Sequence, residues 1–262
     1  MLQPTYWART HVWNRIMAAD VFIWLDSVKF ARSSTKWEDR TVVETPDGRP
    51  VVLRLPASGP REVSWREVGL HSGWAKHRRT LQSCYGRRPH WRTVSPFVDE
   101  VYTDRADTIE AVCWRTLQAT FRLLRMSRPV VRASELPVPG AKSELVLQLV
   151  KAVGGTTYLT GRPGASYLDL ERFTAAGVAV EVQNWNAPVT RHGLVNPSII
   201  HVLAEHGPVG TGGLLAPDPL TEPDRRQHDP QQTVEDFGRP GSRRCQCHQW
   251  RTDPRSAWCH LV

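Results

Sequence analysis

Cysteine is scarce and badly placed for cross-linking. The 262 residues hold five, an odd number: Cys84 and Cys113 stand alone, and Cys245, Cys247 and Cys259 crowd the last eighteen positions. With no secretory signal ahead of it, that pattern argues against a disulfide framework. The stretches Cys245-Gln246-Cys247-His248 and Cys259-His260 supply ligand types for zinc. Structural zinc sites, however, separate their first pair by two to four residues, whereas here the gap is one and nothing nearby would fold around a metal. No metal and no cofactor are expected. Long apolar runs are missing too: none approaches the roughly 20 residues that span a bilayer, so no membrane partner is expected. The opening MLQPTYWARTHVW has no basic region followed by an apolar core, so it is not a signal peptide and a cytoplasmic location is the expectation. No GxGxxG follows a strand, and P-loop, HExxH and GxSxG signatures are absent, which counts against the corresponding activities.

What is present is ordinary globular composition, 40% hydrophobic and 23% charged, with a formal net charge of +8. From residue 208 onward seven arginines meet seven acidic residues, so the whole surplus sits on residues 1–207. A basic folded body suits anionic partners; an Arg-rich surface without purpose reads the same numbers. Residues 208–262 also hold seven prolines, few aliphatics and no periodicity. They read as a disordered tail behind one domain at 1–207.

Within that domain the pattern is α/β. A short helix is expected over 9–18, with Val12, Trp13, Ile16 and Met17 on one side. Residues 40–55 read as a hairpin around Pro46-Asp47-Gly48, and 63–68 as a short strand. Helices are expected over 74–85, 96–102, 106–126, 142–153 and 197–206, and short strands over 130–132, 157–159 and 178–182. The expected architecture is a mostly parallel, Rossmann-like sheet flanked by helices.

Residues 19–30, ADVFIWLDSVKF, carry the sharpest signal. The run from Val21 to Leu25 suits a strand covered on both faces. Asp26 closes it, at the strand end where open α/β sheets keep their ligand sites. A polar residue that merely ends a strand reads the same residues. Lys76, His77, Arg78 and Arg79, with Arg87 and Arg88 beyond, could hold phosphate groups or form a solvated helix face. With no known reading motif beside them, nucleic acid is not expected as a partner. In PVPGAKSELVLQ, residues 137–148, Lys142 and the helix amides behind it would suit a phosphate or carboxylate, while Ser143 and Glu144 also read as plain helix capping.

Together these blocks resemble the WbqC-like family of bacterial polysaccharide and natural-product gene clusters. Family members carry HQPxYxPWLG, ADVFVxLDDVQF, NRNRI, SSEL, a KTEL helix, DTYLSG and LSIIDLL. This chain has LQPTYWARTHVW from Leu2, ADVFIWLDSVKF from Ala19 and DRTVV from Asp39. Then follow HRRTLQSCYGRRPHW from His77, RASELPVPGAKSELVLQLVKAVGGTTYLTG from Arg132 and PSIIHVL from Pro197, in the same order. The resemblance implies an acyl- or aminoacyl-type transferase acting on an amino sugar or amine, with an anionic small molecule or an acyl or aminoacyl carrier as partner. It matches Gln3, Tyr6, Arg40, Lys142 and Ser198 as substrate-binding positions, and Asp26 and Glu144 as catalytic ones. Ser134 matches SSEL, and Gly161 the glycine of YLSG.

The departures are specific. Leu2 stands at the opening histidine, Trp37-Glu38-Asp39 at NRN, and His201 at the Asp of SIID. The pattern's first strand, which precedes HQP, is missing here, as a start codon placed late would produce. One reading keeps a transferase in which Asp26 orients or deprotonates the acceptor and His201 serves as base. A second is a diverged, non-catalytic binding or scaffold member. A third, on the turn–helix–strand order of residues 3–26, is a nucleotide-binding fold related to nucleotidyl transferases.

Overall fold

Helix α1, Thr10–Ala18, buries Val12, Trp13 and Ile16, the one-sided stripe that its sequence spells out. The computed structural model describes residues 1–30, 38–60 and 62–217. Strand β1, Phe22–Trp24, follows with all three side chains buried. Strands β2, Arg40–Glu44, and β3, Pro50–Arg54, pair antiparallel from Arg40 opposite Arg54 to Glu44 opposite Pro50. The hairpin forms where Pro46-Asp47-Gly48 predicts it, with Gly48 at a φ of 88° that favours glycine. A second, minimal antiparallel pair joins β4, Ala57–Ser58, to β5, Gly69–Leu70. Between them lies no strand at 63–68 but a 3-10 turn, Trp65–Glu67, whose capping box links Ser64 and Glu67.

Three helices come next: α2, His77–Tyr85, α3, Trp91–Thr103, and α4, Ile109–Leu124. Helix α3 begins before the expected 96 and carries Pro96 inside it. Strand β6, Val130–Arg132, then lies parallel to β1, with Phe22 opposite Val130 and Trp24 opposite Arg132. Leu2 extends this pair on the other side of β1: its N–H donates to the Ile23 carbonyl at 3.1 Å and its carbonyl accepts from Leu25 N–H at 2.9 Å. Helix α5, Lys142–Ala152, leads to β7, Thr157–Thr160. The short helices α6, Arg162–Ala165, and α7, Leu170–Ala175, lead to β8, Ala179–Val182, which is parallel to β7.

The mixture of helix and short parallel strands is as expected, but among the described residues the strands associate as four two-stranded pairs, two of them antiparallel. Between β1 and β6 the chain inserts a hairpin and three helices where a wound sheet would use one crossover helix. The largest core cluster, with Trp7, Trp13, Trp24 and Trp65 fully buried, gathers these inserted elements around α1 and α4. No helix among the described residues is long and apolar enough to cross a membrane.

The last helix, α8, Ile199–Leu215, does not stop at His206. It kinks at Gly207, whose φ of 68° and ψ of 174° are not helical, and resumes at Pro208, a residue suited to a helix start. The expected domain boundary at 207 therefore falls on a bend, and Leu215 at the far end is fully buried. Residues 218–262, with the Cys245, Cys247 and Cys259 cluster and most of the expected tail, lie outside the described residues.

Gly207 is doubly required, by its φ and because a β-carbon there would stand 2.7 Å from the His90 ring. Gly207→Ala should therefore lower stability by about 1–3 kcal/mol. Chemical denaturation of the full chain checks this, and a midpoint equal to wild type would contradict it.

Candidate functional site

Strands β1 and β6 run parallel and end side by side, which brings residues 24–26 against residues 132–134. The Asp26 side chain has no exposed surface, so its charge must be matched within the protein. Oδ1 accepts the Ser134 backbone N–H at 2.9 Å, and Oδ2 accepts the Ser134 hydroxyl at 2.7 Å. Arg132 Nη1 lies 3.4 Å and Arg66 Nε 4.0 Å from Oδ2. Arg132 also donates to Glu110 Oε1 at 2.8 Å, and Glu110 accepts Trp24 Nε1–H at 2.8 Å. The guanidinium lies 4.0 Å from the centre of the Trp114 ring, which meets Trp24 edge-on. Two carboxylates and one aromatic face thus hold Arg132 while a quarter of its side chain stays exposed. Arg66 is more than half exposed. Gln3, next to Leu2 at the same end of β1, accepts Trp65 Nε1–H at 3.1 Å, in the turn that carries Arg66.

The arrangement presents two guanidiniums toward solvent from a base of buried acids. Asp26 accepts on both oxygens, which fixes the placement of Ser134 and Arg132. Sequence reasoning missed Arg66, Glu110 and Trp114 as parts of this centre. Arg132 and Ser134 had a signal, since RASEL places them just after a strand. Glu110 had a faint one, an acid in the first turn of the apolar helix α4; Arg66 had none.

The other expected site residues have other partners. Tyr6 is buried, its hydroxyl meeting His77 Nδ1 at 3.0 Å and the Tyr102 hydroxyl; burial pushes its pKa well above the usual phenol value. Arg40 donates to Asp39 Oδ1 at 2.8 Å while Arg54 takes Oδ2 at 2.7 Å, bracing the β2–β3 hairpin. Ser198 donates its hydroxyl to the Trp7 carbonyl at 2.9 Å. Glu144 accepts Gln148 Nε2–H at 2.7 Å and Arg172 Nη1–H at 2.8 Å. Lys142 opens α5 at a φ of 52° and is exposed. His201 sits in the first turn of α8 against the Tyr85 ring, with Nδ1 lacking a hydrogen-bond partner among the described residues. Burial, aided by Arg88, lowers its pKa to about 4. Among the described residues no hydrogen bond or ion pair joins Asp26 to Lys142, Glu144 or His201. Nor does any group of three or more His, Cys, Asp or Glu there have the placement to hold a metal ion.

A histidine held neutral when folded makes stability depend on pH with a definite sign. Unfolded His201 would titrate near about 6.5 but folded His201 near about 4. Between those values the unfolded chain binds the extra proton, so stability is full above about pH 6.5 and falls as pH drops toward 4. His77, lowered to about 4 mainly by burial, acts in the same direction. The melting temperature should decline across that window, and His201→Phe, which keeps the ring contact with Tyr85, should flatten part of the decline. A His201→Phe curve parallel to wild type would contradict the buried neutral imidazole.

Comparison with curated proteins and with solved structures returned no significant match. The family model of the WbqC-like protein family matches residues 3–208, a span that contains Gln3, Asp26, Arg66, Glu110, Arg132 and Ser134. By that match over most of its length, the chain belongs to the WbqC-like protein family.

Proposed function

We propose that this chain is an acyl- or aminoacyl-type transferase that binds the anionic part of its donor or carrier at the paired ends of β1 and β6. It would act on an amino sugar or related amine in polysaccharide or natural-product assembly. The observation that supports this is Arg132: a guanidinium fixed by Asp26, Glu110 and Trp114, on a side chain that stays a quarter exposed. A charge aimed before the ligand arrives loses little freedom on binding and favours charge that develops during reaction. In the step itself the acceptor amine attacks the acyl carbonyl of a thioester. The amide C–N bond forms, the C–S bond breaks, and the amine's proton leaves with the thiolate. Asp26 acts as a positioning residue, Arg132 and Arg66 hold the anionic group, and Gln3 stands beside them. Lys142, exposed at the start of α5, would supply a further cation.

One observation favours the non-catalytic reading. Leu2, where the family pattern has its histidine, lines an apolar cavity with Ala8, Val12, Phe22 and Leu117. Among the described residues no imidazole lines that cavity, and His201 is in contact with Tyr85.

Incubating the full chain with nucleotide-linked amino sugars and acyl thioesters, and reading amide formation by mass spectrometry, separates the two. The transferase reading expects an amide product whose rate falls about 100-fold or more in Arg132→Met, the scale for removing one preorganised charge donor. Binding of the thioester without any amide product would uphold the scaffold reading.

A further inference from the structure

The second parallel pair, β7 and β8, also ends beside a positively charged group, one that no carboxylate pairs with among the described residues. Gln183, just past β8, ties that end together. Its N–H donates to the Thr160 carbonyl at 2.7 Å, and its side-chain amide donates to the His11 carbonyl at 2.9 Å and to Asn14 Oδ1 at 2.5 Å. Helix α1 is thereby fastened across the ends of both strands, and His11 and Arg15, four residues apart, share one face of it. The Arg15 guanidinium lies directly on Gly161, the residue after β7: a β-carbon built there would stand 2.5 Å from Nη1. The φ of Gly161, −87°, suits any residue, so glycine serves the close approach and not the backbone.

Arg15 is half-buried, and no carboxylate pairs with it among the described residues. Burial lowers its pKa, and only the Tyr158 phenol works the other way. Arg9, also half-buried, is lowered by the same cause. His11 is kept neutral, at about 3, by burial and then by the charges of Arg15 and Arg9, against a hydrogen bond from Asn196. Its tautomer follows from Asn196. The amide oxygen accepts Thr10 Oγ1–H at 2.9 Å and His11 N–H at 3.1 Å, so the amide nitrogen is the atom 2.7 Å from Nδ1. Nδ1 therefore accepts, and Nε2–H is the remaining donor of the ring. By contrast Arg132, at the ends of β1 and β6, has two carboxylates. A guanidinium partly removed from water with no counter-charge is costly unless something anionic completes it.

We propose that Arg15, with the Nε2–H of His11, forms a second oxyanion site at the carboxyl ends of β7 and β8, for a phosphate or carboxylate group of a small-molecule ligand. The site is independent of the transferase reading, since binding alone defines it.

Melting of the full chain at constant ionic strength tests this, with inorganic phosphate in one series and acetate in another. Wild type should melt higher as one of the anions rises, and the effective series tells phosphate from carboxylate chemistry. Arg15→Met should melt no lower than wild type without anion, because an uncompensated charge has been removed, and should lose the anion-dependent rise. Gly161→Ala, which keeps the arginine but displaces it, should weaken the rise several-fold. Arg105→Gln, at a side chain 91% exposed, should respond as wild type does. The site is overturned if wild type responds to neither anion, if Arg15→Met keeps the full rise, or if Arg15→Met melts well below wild type in the absence of anion.

Discussion

A carboxylate with no access to water governs the geometry of the first strand pair. Asp26 is removed from solvent at the end of β1, and a buried charge left unmatched would cost several kcal/mol. Its match comes from the chain that leaves β6, the Ser134 N–H and hydroxyl and the Arg132 guanidinium. Satisfying Asp26 therefore fixes the path of residues 132–134 and the direction of Arg132 at once. Arg132 in turn compensates Glu110, which anchors Trp24 of β1 itself. The circuit closes on the strand where it began, and it places a cation at the rim without a loop of its own.

A second knot holds the amino-terminal segment. Trp7 has a φ of 41°, a region that costs a large side chain about 1–3 kcal/mol unless its surroundings impose it. They do. The Trp7 carbonyl accepts hydroxyls from Thr41 at 3.0 Å and Ser198 at 2.9 Å, while its indole N–H reaches the Tyr102 hydroxyl. Adjacent bonds from Tyr6 N–H to the Glu38 carbonyl and from Ile199 N–H to the Ala8 carbonyl lock the same turn to the chain entering β2 and to the start of α8. Tyr6 and Ser198, matched on family resemblance as substrate-binding positions, have documented work here as braces. The same holds for Arg40, spent on Asp39 within the β2–β3 hairpin.

How much of this could be read from the chain follows from how local each cause is. Strand β1, the Pro46-Asp47-Gly48 hairpin and helices α1 and α5 depend on periodicity and turn chemistry within a dozen residues, and they lie where the pattern put them. Asp26 was legible as the acid at a strand end. Its partner was not, because Lys142 and Arg132 are equally cationic and only the register of β1 on β6 chooses between them. Arg66 and Glu110 reach the site from 3-10 and helical segments inserted between the two strands, which no spacing rule anticipates. The helix beyond Gly207 was missed for a related reason: glycine followed by proline is a stop signal unless the second half has a core to enter, and Leu215 does.

The basic surplus of residues 1–207 acquires meaning only when each cation is sorted by what faces it. Arg40, Arg54 and Arg78 all meet carboxylates, so their charge is largely compensated within the fold and steers nothing by itself. Exposed arginines such as Arg105, held by Asp107, are screened by water and salt. Net charge alone therefore exaggerates the attraction for anions. What remains informative is a cation that is partly desolvated yet lacks an acid, or one whose acids stand behind it and leave an edge free. Among the described residues Arg15 exemplifies the first case and Arg132 the second, and each stands at the carboxyl end of a parallel strand pair, where side chains from separate segments are brought together by the sheet. The coincidence of position with a cation still partly open to solvent, in two places that share no residue, is a stronger pointer to anionic ligands than the count of arginines in the chain.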